Sequence, residues 1–176
     1  MSKREIERTV QASVLDRLTD GDPRASADPR TTYAESLRQF KASVQRDLEW
    51  LLNTRRTPTP APDELEELRN SLYNFGVPDI TSMSRDSAES RSRLRTQVEE
   101  ALATFEPRLT NVQISVIEAE GESRRRELRF VVEATLRLDP TPEQVVFDTV
   151  LHFSSGQIDV TGGVAGGSGG GGASNA

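Results

Sequence analysis

The chain has 176 residues with 22 Lys+Arg against 28 Asp+Glu, a formal net charge of −6. That length suits one ordinary domain with its own core. The acidic balance disfavours nucleic acid as a partner, because affinity for phosphates comes from clustered Lys and Arg. There is no cysteine and a single histidine, His152. Disulfides, thiolate nucleophiles and zinc–thiolate sites are therefore excluded, and Ser–His or histidine-rich metal chemistry has little to work with. No cofactor and no metal are expected. No apolar run approaches the roughly 20 residues that span a bilayer, so no membrane insertion is expected. The opening MSKREIERTV has charges but lacks the apolar segment of a secretory signal, which makes the cytoplasm the expected compartment.

In chain order, residues 3–19 carry Ile6, Val10, Val14, Leu15 and Leu18 near helical spacing, an amphipathic segment. A polar, breaker-rich linker follows from Asp20 to Pro29, so residues 1–31 read as an arm and linker. An amphipathic arm of this kind docks either on its own domain or on a partner, and both options are open at this level. The main domain is placed at residues 32–161. Thr32 and Glu35 have capping-box spacing, and Leu37, Phe40, Val44, Leu48 and Leu51 keep one helical face apolar as far as Asn53. Arg55 and Arg56 complement that helix's C-terminal dipole or touch a partner. The proline-rich stretch at 57–62 cannot be helical. Asp63 and Glu66 have capping-box spacing again, and Leu65, Leu68 and Leu72 predict a second helix ending near Gly76 and Pro78. A third helix is predicted from about Asp86, with Leu94, Val98, Leu102 and Phe105 buried and Pro107 as its stop.

After Pro107 the apolar period changes from 3.6 to 2. Val112, Ile114 and Val116 form one alternating run, Leu128 to Leu138 a second, and Val145 to Phe153 a third, while Ile158 and Val160 add a short fourth. Turn signals at Gly121, Asp139-Pro140 and Ser155-Gly156 give short connections and hence antiparallel pairing. The fold class is α+β: three helices packed on a small antiparallel sheet of three to four strands, preceded by the amphipathic arm. Residues 162–176, rich in glycine and poor in apolar side chains, are expected to be disordered.

Few residues suit catalysis. A glycosidase would need two carboxyl groups roughly 5–9 Å apart with one protonated. Glu106, at a helix end beside Pro107, is the best single candidate, and a lysozyme-like cell-wall hydrolase is the alternative function. Arg108, two residues on, favours the ionised form of Glu106, the wrong direction for a general acid. One Trp, two Tyr and six Phe, most of the Phe at core-facing positions, leave few sugar platforms. His152 reads as an exposed strand residue, and Arg124-Arg125-Arg126 as a solvated hairpin tip. Glu106-Pro107-Arg108 is the most distinctive short feature. A rigid proline between an acid and a base would let both charges point outward for recognition of another protein; otherwise the pair closes the helix-to-strand turn locally.

Four stretches occur in a recognisable order. They are Ser13-Val14-Leu15-Asp16-Arg17-Leu18, Arg46 to Arg55 (RDLEWLLNTR), Ser71 to Asp79 (SLYNFGVPD) and Phe105-Glu106-Pro107-Arg108-Leu109. Together they resemble TssE, the type VI secretion branch of the gene-25-like baseplate wedge family of contractile tails, from about residue 13 to 161. The family's usual Tyr before the glycine is replaced here by Phe75. The resemblance implies a structural protein and not an enzyme, working inside a multi-protein baseplate on the inner face of the bacterial envelope. Its implied partners are other wedge proteins and contractile sheath subunits. Glu106, Pro107 and Arg108 would form the partner-binding signature, and an edge strand of the sheet would pair with strands of the first sheath ring and template its assembly.

Overall fold

The computed structural model describes residues 9–19, 32–59, 61–79, 87–117, 126–139 and 141–162. The elements are α1 (Val14–Leu18), α2 (Tyr33–Asn53), α3 (Glu66–Arg69), a 3-10 turn (Leu72–Asn74), α4 (Ala88–Phe105), β1 (Leu109–Ile117), β2 (Glu127–Leu136), β3 (Glu143–His152) and β4 (Gln157–Gly162). The strands form one antiparallel meander in the order β1-β2-β3-β4. This is the α+β architecture that the change of period indicates, with helices first and strands second.

The apolar stripe of α2, Phe40, Val44, Leu48, Leu51 and Leu52, and that of α4, Leu94, Val98, Ala101 and Leu102, are buried. Both face the same side of the sheet, where Ile114, Phe130, Val132, Ala134, Val145, Phe147, Leu151 and Ile158 close the core. α4 lies over β1 and α2 over β4. The opposite face of the sheet carries the polar members of each alternation, such as Gln113, Glu133 and Asp148, all exposed.

Local chemistry accounts for the boundaries. Thr32 caps α2 by accepting a hydrogen bond from the Glu35 N–H at 3.3 Å. Ser87, which accepts from the Ser90 N–H, caps α4; the expected start at Asp86 lies outside the described residues. The second expected helix is a correction. Leu65 occupies the cap position of α3 without any side-chain hydrogen bond, only Glu66–Arg69 are α-helical, and the chain tightens into the 3-10 turn. Leu65 and Leu72 are exposed, so their spacing marks no buried face, and a four-residue helix has no packing to extend it.

That segment is instead tied down by its end. The Val77 N–H donates to the Thr54 carbonyl, and the Arg56 N–H donates to the Val77 carbonyl, each at 2.9 Å. Gly76 makes the approach possible: its φ is +103°, and a Cβ there would stand 2.2 Å from the Thr54 oxygen. The turn signals at Gly121 and Pro140, the first two arginines of the Arg124–Arg126 run and Ile6 lie outside the described residues. So do residues 163–176; Gly162, expected in the tail, closes β4 opposite Phe147.

Candidate functional site

The Glu106-Pro107-Arg108 turn joins α4 to β1. The Glu106 N–H still donates to the Leu102 carbonyl as the helical cap, and proline, having no N–H to offer, ends the helix there. The Glu106 side chain does not reach solvent, which corrects the expected outward pair: the residue is 4% exposed. Both of its oxygens are taken by Arg108, whose Nε donates to Oε1 at 2.5 Å and whose Nη2 pairs with Oε2. Pro107 is the exposed apex.

The guanidinium also reaches α2. Nη2 donates to Asp47 Oδ2 at 2.7 Å, Nη1 donates to Ser43 Oγ at 3.3 Å, and the group lies 5.7 Å from the Phe40 ring centroid. Ser43 and Asp47 are four residues apart on α2, hence on one face of that helix. Ser43 Oγ donates in turn to Asp16 Oδ2 at 2.7 Å. Asp16 accepts from Arg46 Nη1 at 2.7 Å, and Arg46 turns back onto Asp47 Oδ1 through Nε and Nη2, at 3.1 and 2.9 Å. A continuous polar ladder therefore runs from α1 across α2 to the turn before β1. It contains three carboxylates, Asp16, Asp47 and Glu106, and two guanidiniums, Arg46 and Arg108.

The electrostatics follow from these contacts. Burial pushes the Asp16 carboxyl up, but hydrogen bonds from Ser13, Ser43 and Arg46 together with the Arg46 charge outweigh it and hold it at about 2. Hydrogen bonds to Asp16 and Asp47 raise the pKa of Arg46. Burial disfavours the charged form of Arg108, yet its bonds to Glu106 and Asp47 more than compensate and raise its pKa. Charge-assisted, two-pronged pairs of this kind are the strong ones.

The ladder also shows where the arm goes. Its described part docks on its own domain through polar groups: the Val10 N–H donates to Ser36 Oγ at 3.0 Å, and Asp16 is held by Ser43 and Arg46. The apolar stripe of α1 points away, with Val14 71% and Leu18 79% exposed. Sequence reasoning named Glu106, Pro107 and Arg108 and missed Asp16, Ser43, Arg46 and Asp47. The available signal was a polar row at positions 43, 46 and 47 on a helix whose other face is apolar.

His152 is half-buried at the end of β3, with Nε2 2.9 Å from Asp159 Oδ2, and so is part of a surface polar cluster. Arg55 faces Asp79 at 3.7 Å. Among the described residues, no group of three or more His, Cys, Asp and Glu side chains stands where it could hold a metal ion. No helix among them is long and apolar enough to cross a membrane. An open cleft of ≈ 410 Å³ lies between the α3 loop and α4, lined by Arg56, Asp63, Arg69 and Glu100 among others, and it does not include the turn.

The sequence profile of the family described as baseplate wedge protein gp25 matches residues 38–141, more than half of the chain. The chain belongs to this baseplate wedge family. The matched segment holds most of α2 and all of α3, α4, β1 and β2, and so every member of the ladder except Asp16. A search of curated proteins gives no match. Family membership fits the geometry of the gp25-like site: a carboxylate occupied on both oxygens and sealed against solvent is arranged to hold a turn in place.

Proposed function

We propose that this gp25-family chain is a structural subunit of a type VI secretion baseplate, working on the cytoplasmic side of the envelope. In this reading it joins other wedge proteins to the first sheath ring, and an edge strand of its sheet templates sheath assembly. The observation that carries the proposal is the match of residues 38–141 to the baseplate wedge family. The Ser13–Leu18 stretch ahead of the matched segment and the Phe105–Leu109 stretch within it support the secretion-system branch.

The Glu106-Pro107-Arg108 turn is the proposed wedge contact. With Glu106 buried, the contacting surface is the Pro107 apex and the open side of Arg108, whose side chain is 22% exposed. The rigid turn fixes where that surface points, so little ordering entropy is lost on binding. Co-purification with the other baseplate components and the sheath subunit tests the role. The full chain is expected to be recovered in the complex, and Pro107→Trp is expected to fold normally while its recovery falls at least tenfold. Absence of the wild-type chain from the complex would overturn the proposal.

Peptidoglycan hydrolysis by Glu106 is not supported by this geometry, since a general acid must present a proton to the substrate and both Glu106 oxygens face Arg108. Turbidity of purified cell walls should stay constant with the wild-type chain and with Glu106→Gln. Clearing that depends on Glu106 would replace the structural reading with an enzymatic one.

A further inference from the structure

The two edges of the sheet differ. The edge of β4 is closed by α2: Asn53 Oδ1 accepts from the Ile158 N–H at 2.8 Å, and Asn53 Nδ2 donates to the Ile158 carbonyl at 2.7 Å. Gln45 Nε2 donates to the Val160 carbonyl at 2.8 Å. One asparagine thus occupies the donor and acceptor that another strand would use. These bonds also fix the direction of every backbone group, because antiparallel ladders alternate. Ile158 turns its groups away from β3, so its partner Leu151 turns its own toward β2. Carried through the Leu128↔Leu151 and Phe130↔Val116 registers, the alternation leaves the N–H and C=O of Ile114 and Val116 pointing away from β2, off the open side of β1.

Among the described residues, no hydrogen bond reaches that side of β1. The strand LTNVQISVI is nine residues long and contains no charged residue and no proline, whereas β2, β3 and β4 each carry at least one charge. Lysines, prolines and inward-pointing charges are the usual defences of a free edge, and β1 has none of them. Its one irregularity is a bulge between Thr110 and Gln113, where Asn111 has φ +52°. The bulge confines regular pairing to Gln113–Ile117.

We infer that β1, and not β4, is the edge that accepts a strand from another chain, and that the occupant is an isolated extended arm of a sheath subunit; this rests on the baseplate reading above. The fold restricts the occupant. α4 lies over β1, and strands in a sheet are about 4.8 Å apart, whereas packed helices need 8–10 Å between axes. Antiparallel pairing of β1 with a second copy would bring two α4 helices onto the same face inside that limit. The incoming strand therefore carries no helix of its own on the core face. It places apolar side chains beside Ile114 and Val116 and polar, uncharged ones beside Gln113 and Ser115.

The test uses the full chain in cells that assemble the baseplate and sheath, with a photo-crosslinking amino acid at Gln113 or Ser115 on β1, or at Thr161 on β4. All three side chains are exposed. Sheath subunit is expected to crosslink from β1 at least tenfold more than from Thr161. In parallel, Val116→Lys should lower sheath recovery at least tenfold at an unchanged melting temperature, and Thr161→Lys should leave it unchanged. If Val116→Lys fails to fold, the crosslinks decide alone. Stronger sheath crosslinks from Thr161 would overturn the edge assignment while leaving the baseplate reading intact. Sheath crosslinks from no position would overturn both, and crosslinks from β1 to a second copy would overturn the choice of occupant.

Discussion

Glu106 is ionisable and almost fully enclosed, and Arg108 supplies both hydrogen bonds that its carboxylate oxygens receive. Removing one member of a buried pair leaves an uncompensated charge, which costs about 3–5 kcal/mol. Arg108 is partly open to water, which places Arg108→Ala at about 3 kcal/mol. Glu106→Ala should cost a similar amount, and the double variant clearly less than the sum of the two, because both remove the same interaction. Chemical denaturation of the four proteins measures this, and additive costs would mean the pair is uncoupled. A second residue carries the opposite expectation. The Thr149 hydroxyl is buried and has no hydrogen-bond partner, between Phe130 and Val160 on the core face of β3. Leaving a buried polar group unsatisfied costs about 1–3 kcal/mol. Thr149→Val should therefore stabilise the chain by about 1 kcal/mol, a rise in Tm of about 3 °C at this length.

At the scale of elements, the arm is held mainly by charge and hydrogen bonds, which makes its docking sensitive to acid. The Asp16 carboxyl sits at about 2 in the docked arm against an ordinary 3.8. A depressed acid stabilises the state in which it is depressed above its free pKa, so the contribution is complete above about pH 4 and is lost as pH falls toward 2. The gap sets an upper bound of about 2 kcal/mol at 1.36 kcal/mol per pH unit, which the solvent on the open side of Asp16 reduces toward 1. Leu15 and Leu18 methyl resonances should report release of α1 in that window, and in Asp16→Asn the acid step should vanish. The same contrast explains what was legible in the sequence. α2, α4 and the four strands show themselves because each buries one apolar face, and the 3.6 and 2 periods record it. The α3 region does not, because its leucines are exposed and its position depends on a backbone contact that Gly76 permits. The ladder was half legible: Glu106-Pro107-Arg108 is contiguous, whereas Asp16 and Ser43 meet only after the arm folds back across 27 positions.

For the whole molecule, stability is concentrated in one core between the α2–α4 layer and the sheet, and the chain outside it contributes little. α1 has no buried residue. Of the arm's described apolar side chains, only Val10 packs on the core, and it is partly buried. Once the arm is removed, Ser36, Ser43 and Arg46 regain water, so the cost of losing their partners is that of exposed or half-exposed hydrogen bonds, roughly 0.5–1.5 kcal/mol each and not additive. At the other end β4 must be kept whole, because Ile158 and Val160 are buried and Asn53 and Gln45 are bonded to its backbone. A chain of residues 32–162 is therefore expected to fold cooperatively, with a melting temperature within several degrees of the full chain. A chain ending at Ser155 should lose its transition, since it would leave the sheet edge and the α2 face uncovered together. Calorimetry on the three chains separates the possibilities. A large loss in the 32–162 chain would mean that the arm or the segment after Gly162 belongs to the core, and survival of the chain ending at Ser155 would mean that the α2 contacts to β4 carry little of the fold.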